Sequence, residues 1–83
     1  MPKTKPLKIK NSALAKAVVV FRFQRSLATE IGVHQQSVWY WLYKSGVVPA
    51  EHVLNIENAT RAKGEVVTRH ELRPDIYPLQ EAS

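Results

Sequence analysis

Two adjacent glutamines, Gln35 and Gln36, carry the most specific chemistry in this chain. A carboxamide holds an acceptor and a donor side by side. That is the complement of adenine N7 and N6–H in the major groove of DNA. Tyr40 follows one turn along the same helical face, where it can meet a base edge, a thymine methyl or a phosphate. Trp39 has two roles open to it: leaning on sugar and phosphate, or sealing the edge of a core. Gln24, Arg25, Ser37, Tyr43 and Lys44 are of types that bond phosphate oxygens, and such contacts position a protein on a duplex without reading its sequence. His34 can cap a helix or bond a phosphate.

These side chains work together only on a rigid helix that is buried behind. On a wheel advancing about 100° per residue from Val38, Trp41 and Leu42 flank Val38 and form an inward stripe. Gln36, Tyr40 and Tyr43 fall opposite. Gln35 and Trp39 lie on one shoulder, Ser37 and Lys44 on the other. The outward face carries no acid, whereas a merely solvated face is rich in Glu and Lys. A helix over about 35–43 is expected.

The residues before it form a helix, a tight turn and this second helix. Leu27, Ile31, Val33, Val38 and Trp41 are apolar where packing is needed, and Ala28 is small where two helices cross. Gly32 can take the positive φ of a sharp turn. The order is that of a helix-turn-helix, whose second helix enters the major groove.

Helix 2 is expected over about Gln24–Ile31, with Leu27, Ala28 and Ile31 buried. Helix 1 should run from Asn11 or Ser12, with Ser12 as cap, to Phe21, burying Leu14, Ala17, Val18 and Phe21. The β-branched run Val18–Val20 weakens helix propensity, which packing must override. A break is placed at Arg22-Phe23. Gly46 is read as the C-cap of helix 3. Helix 4 should start at Pro49, run to about Thr60 and bury Ala50, Val53, Leu54 and Ile56. Val66-Val67 either pairs as a short extended segment or packs. Thr68 and Glu71 have capping-box spacing for a last turn through Leu72. Pro74 and Pro78 stop it, and Asp75–Pro78 is expected as an ordered extended tail.

Eighty-three residues, 45% of them hydrophobic, suffice for one small domain and one core. With no cysteine, disulfides and thiolate metal sites are excluded. His34, His52 and His70 do not form a ligand set. No nucleophile, base and orienting acid stand together, and three scattered glycines make no phosphate loop. No enzyme, cofactor or small-molecule substrate is expected. The early lysines and Leu14–Phe21 imitate a signal peptide, but Lys16 interrupts the run, basic residues follow it, and it is too short to span a bilayer. A cytoplasmic protein is expected.

Net charge is +5, and unevenly distributed. Residues 1–44 hold eight basic side chains against Glu30 alone, a net of +7; residues 45–83 hold four against six acids, a net of −2. The basic half contains the helix-turn-helix, which points to a polyanionic partner. Residues 1–10 are expected to be a disordered basic arm, either following phosphates or the minor groove or merely solubilising. Residues 11–78 form the domain, and 79–83 a disordered tail. The acidic half suits assembly. Arg73 and Asp75 can pair across subunits, while Ile76 and Tyr77 either dock on a neighbour or fold back onto their own core.

Residues 27–46 resemble the helix-turn-helix of lambdoid phage Cro and repressor proteins. Val48–Leu54 together with Thr68–Pro78 resembles the Cro/YdaS-type subgroup encoded in prophages. The likeness covers roughly residues 12–78. It implies an all-α, lambda-repressor-like domain of about five short helices. It implies a transcriptional regulator that binds double-stranded operator DNA as a homodimer or higher homo-oligomer. Base reading by Gln35 and Gln36 is carried over from related repressors. Where similar proteins have a glycine or a small polar residue before the glutamine that opens helix 2, this chain has Arg22-Phe23. An alternative is an antitoxin-like module that grips a partner protein through its C-terminal half; a non-specific basic DNA binder is a third.

Overall fold

The computed structural model describes residues 8–78, which contain five helices and no strand. Residues 1–7 of the expected arm and the tail 79–83 lie outside the described residues.

Helix α1 spans Ser12–Phe21 and packs against all four other helices. That burial overrides the poor propensity of Val18–Val20, of which Val19 stays exposed. Its cap is Asn11, not Ser12: the Asn11 carboxamide oxygen accepts from the Leu14 amide at 2.9 Å. Ala13, Leu14, Ala17 and Phe21 are buried, and Val18 is half-buried. The helix ends at Arg22, a non-glycine residue with φ +74°, whose amide bonds Val19 O at 3.0 Å.

Helix α2 spans Gln24–Ile31. It closes in a Schellman arrangement: Gly32 takes φ +78°, its amide bonds Thr29 O, and the Val33 amide bonds Ala28 O at 2.9 Å. This turn sends the chain into α3, Gln35–Tyr43, with Val38, Trp41 and Leu42 buried as the wheel requires. Lys44 is the C-cap of α3, and Gly46 lies two residues beyond. There a left-handed backbone and a close approach coincide, since a Cβ on Gly46 would stand 3.0 Å from Lys10 Cβ and 3.2 Å from Lys10 O.

Helix α4 spans Ala50–Ala62, with Pro49 just outside as N-cap. Its buried stripe is Val53, Ile56, Glu57 and Thr60. Ala50 and Leu54 are exposed, contrary to expectation: Leu54 falls beside that stripe, and Ala50 is the first residue of the helix. Thr60 explains the fate of Val66-Val67. Its hydroxyl donates to Ile56 O at 2.9 Å and accepts from the Val67 amide at 2.9 Å, so Val67 packs inward and Val66 stays out.

Helix α5, Arg69–Leu72, opens with the full Thr68/Glu71 capping box. Residues 74–77 turn rather than extend, since the Ile76 and Tyr77 amides both bond Arg73 O. Arg73 and Asp75 pair within the chain, at 2.8 and 2.7 Å, and Arg73 also donates to Val48 O. Tyr77 packs back on the core, its carbonyl accepting from His70 Nδ1 at 2.8 Å, while Ile76 is exposed. Leu14, Leu27, Val38, Val48, Val53 and Ile56 form the solvent-free centre on which all five helices rest.

Candidate nucleic-acid interface

The turn at Gly32 fixes α3 across α2, so the first turns of the two helices lie together. Their joint product is one bond: Gln35 Nε2 donates to Gln24 Oε1 at 2.7 Å. This holds the Gln35 carboxamide by one N–H and leaves its oxygen and second N–H free, the pair that adenine requires. Gln36 is exposed beside it, and Tyr40, 53% exposed, lies one turn on. His34 is the extended N-cap residue of α3, exposed, with no side-chain bond to the helix. The amides of the first turn of α3 therefore have no side-chain cap. Arg25 is exposed and Ser37 half-buried.

The far end of α3 differs from the wheel. Tyr43, expected outward, is half-buried and packed on the core, because its ring is long enough to lie back along the helix. Trp39 is half-buried, 5.8 Å from the Tyr43 ring and tilted 54° to it. The Lys44 ammonium stands 5.6 Å from the Trp39 ring centre. The outward row is thus Gln35, Gln36 and Tyr40, bordered by Trp39 and Lys44.

Two residues of this surface escaped the sequence reading. Arg22 and Phe23 line an open cleft of about 770 Å³ together with Val18, Gln24, Arg25, Ser26 and Gln35. Phe23 is 67% exposed and caps α2 with backbone alone. The signal was present: a helix break written without glycine puts an ordinary side chain at a strained backbone position.

Charge is sorted across the molecule. Lys16, Arg61, Arg69 and Arg73 are paired with Glu71, Glu57, Glu57 and Asp75. Among the described residues, Lys8, Lys10, Arg22, Arg25 and Lys44 have no ion pair; of the basic residues in the C-terminal half only Lys63 has none, and its ammonium stands 5.2 Å from the Phe21 ring centre. Three acids of the C-terminal half, Glu57, Glu71 and Asp75, are held as anions. Burial pushes Glu57 up, but its bonds from Arg69 and Arg61 outweigh this and hold it below the ordinary range. The Lys16 bond lowers Glu71, and the Arg73 bond lowers Asp75 to about 2. On the α2–α3 side the cations Arg22, Arg25 and Lys44 are opposed by Glu30 alone, which leaves a net positive field.

Among the described residues no group of His, Asp or Glu could hold a metal ion, and no helix is long and apolar enough to cross a membrane.

Residues 14–81 match the model of the family described as bacterial toxin YdaS. No curated protein matches the chain. Among solved structures, it is similar to the Cro protein from prophage element Xfaso 1 in Xylella fastidiosa strain Ann-1. The two are 33% identical with a TM-score of 0.71, over 81% of this chain and 97% of that one.

Proposed function

From the premise that the chain belongs to the YdaS family and shares its all-helical fold with a prophage Cro protein, we propose that it is a sequence-specific DNA-binding regulator, a Cro-like repressor, of the bacterial cytoplasm. It reads operator DNA with α3 in the major groove and carries out no catalysis. The observation that carries this reading is the disposition of α3. Val38, Trp41 and Leu42 are sealed beneath it, while Gln36 and Tyr40 stand exposed beside a Gln35 held by Gln24.

Gln35 and Gln36 read adenines. Tyr40 and the rim of Trp39 contact bases or the sugar edge further along the groove. Gln24, Arg25, His34, Ser37 and Lys44 bond phosphates, with Tyr43 confined to the backbone at the edge of the site. A homodimer on a two-fold operator would present two α3 helices about one helical turn of DNA apart. The family's description as a toxin requires no chemistry of this chain, since a protein bound at a promoter excludes polymerase by occupancy.

The test is binding of Gln35→Ala and Gln36→Ala to a duplex selected by the wild-type chain from a random library, and to random duplex. A bidentate adenine contact is worth about 1–3 kcal/mol, so each variant should lose roughly 5- to 150-fold on the selected duplex and little on random DNA. Unchanged specific binding would remove α3 as the reader. The description as a toxin keeps a second reading open, action through a protein partner at the C-terminal half. Against it, Arg73, Asp75 and Tyr77 are engaged within their own chain. Removal of residues 79–83 with retained operator affinity but lost partner capture would favour it.

A further inference from the structure

The root of the N-terminal segment is sewn to the far end of the reading helix. The Lys10 amide donates to Leu42 O at 2.7 Å, in the last turn of α3. Asn11 reaches across with Nδ2 to Gly46 O at 3.2 Å while its oxygen caps α1. Gly46 lacks the Cβ that would meet Lys10, so the two backbones lie in direct contact. These three links fix where the chain emerges: beside the C-terminus of α3, opposite the end that carries Gln35 and Gln36. Lys8, Ile9 and Lys10 are exposed there, and Lys44 is exposed on the same turn of chain. Among the described residues none of these three lysines has an acidic partner.

We propose that Lys8, Lys10 and Lys44 form a second DNA-binding surface, which takes the phosphodiester backbone flanking the base pairs that α3 reads. The proposal rests on the DNA-binding reading above and deepens it. A helix lying in the major groove has a phosphate strand at each end. Gln24 and Arg25 stand at the first end, and the lysine cluster stands at the other. Each lysine placed on a phosphate releases counterions, so the surface adds affinity without sequence preference. A purely structural role is also available to these lysines, because cations near a helix C-terminus offset its dipole. The experiment separates the two.

The double variant Lys8→Gln, Lys10→Gln is compared with wild type and with Lys16→Gln, whose lysine is paired with Glu71 on another face. Affinity for the library-selected duplex is measured between 50 and 200 mM salt, with hydroxyl-radical footprints of each complex. The slope of log affinity against log salt should flatten by about 2 in the double variant, so that its deficit shrinks about tenfold across that range. Protection should disappear on the flank and persist at the centre. Lys16→Gln should match wild type in both. A wild-type slope with an unchanged double variant would overturn this proposal alone, and would leave the lysines as partners of the helix dipole. A wild-type chain that shows no salt-dependent duplex binding would overturn the DNA-binding reading itself.

Discussion

Glu57 offers a sharp test of how α5 is joined to α4. Its side chain is 5% exposed, yet it is charged. Oε1 accepts from the Arg69 amide at 3.0 Å and from Arg69 Nε at 2.9 Å; Oε2 accepts from Arg61 at 2.7 Å. One carboxylate thus ties α4 to the first residue of α5. In Glu57→Gln the carboxamide oxygen can keep both Arg69 bonds. Its NH2 then faces the Arg61 guanidinium, donor against donor, and Arg61 turns to water. One charge-assisted bond is lost and the charge with it, a cost of about 1–2 kcal/mol, discounted because both arginines are partly exposed. For a domain of this size that lowers Tm by roughly 10 °C.

The pH dependence is what distinguishes this account. Because the native carboxyl sits below its unfolded value, its stabilisation is complete above the ordinary glutamate range near 4.5 and fades as pH falls through the lower native value. Glutamine does not titrate. Urea unfolding followed by circular dichroism from pH 7 to pH 2.5 should show wild type more stable at neutrality, with the two curves converging in acid. Subtracting the variant removes the contributions of Glu71 and Asp75, which titrate in both proteins. A gap that stays constant down to pH 2.5 would refute the charged pairing. So would a variant as stable as wild type at pH 7.

Gly46→Ala should cost about 2 kcal/mol or more, combining a left-handed alanine with the approach to the Lys10 backbone, and should expose the Lys10 amide to faster hydrogen exchange. Arg22→Gly should raise Tm by several degrees by relieving a positive φ worth about 1–3 kcal/mol in unfolding experiments, while losing one unpaired cation near α2 and flattening the salt slope of DNA binding by up to about 1.

The helix-turn-helix was legible because its constraints are local. Gly32 fixes the turn, and the positions of Leu27, Ala28, Val38, Trp41 and Leu42 fix both inward faces, so α2 and α3 lie where the pattern puts them. The capping box at Thr68 was legible for the same reason, being complete within four residues. What was not legible depends on partners far along the chain. Ser12 and Asn11 are equally good caps by type, and only the bond from Asn11 to Gly46, thirty-five residues away, selects between them. Leu54 yields its inward place to Glu57, a choice no hydropathy pattern makes. It needs Arg61 and Arg69 to arrive together before a buried carboxylate becomes favourable. The turn at 74–77 likewise needs Arg73 to find Val48 O.

The candidate interface shows the same division. Which residues face outward on α3 follows from the wheel, except at Tyr43, where the reach of the ring defeats the angle. That Gln24 would hold Gln35 does not follow, since it requires the crossing of two helices to be known within an ångström or so. Charge sorting joins the two lessons. The sequence presents a basic half and an acidic half, which could have neutralised each other on folding. They do not: among the described residues Lys16–Glu71 is the one ion pair between them, while Glu57 and Asp75 bind arginines of their own half. Among the described residues, Arg22, Arg25, Lys8, Lys10 and Lys44 are left without an acidic partner around the helix whose outward face lacks any acid. A fold stabilised by cancelling charge would have used those cations inside the molecule; this fold is stabilised without them, which leaves their field directed at a partner.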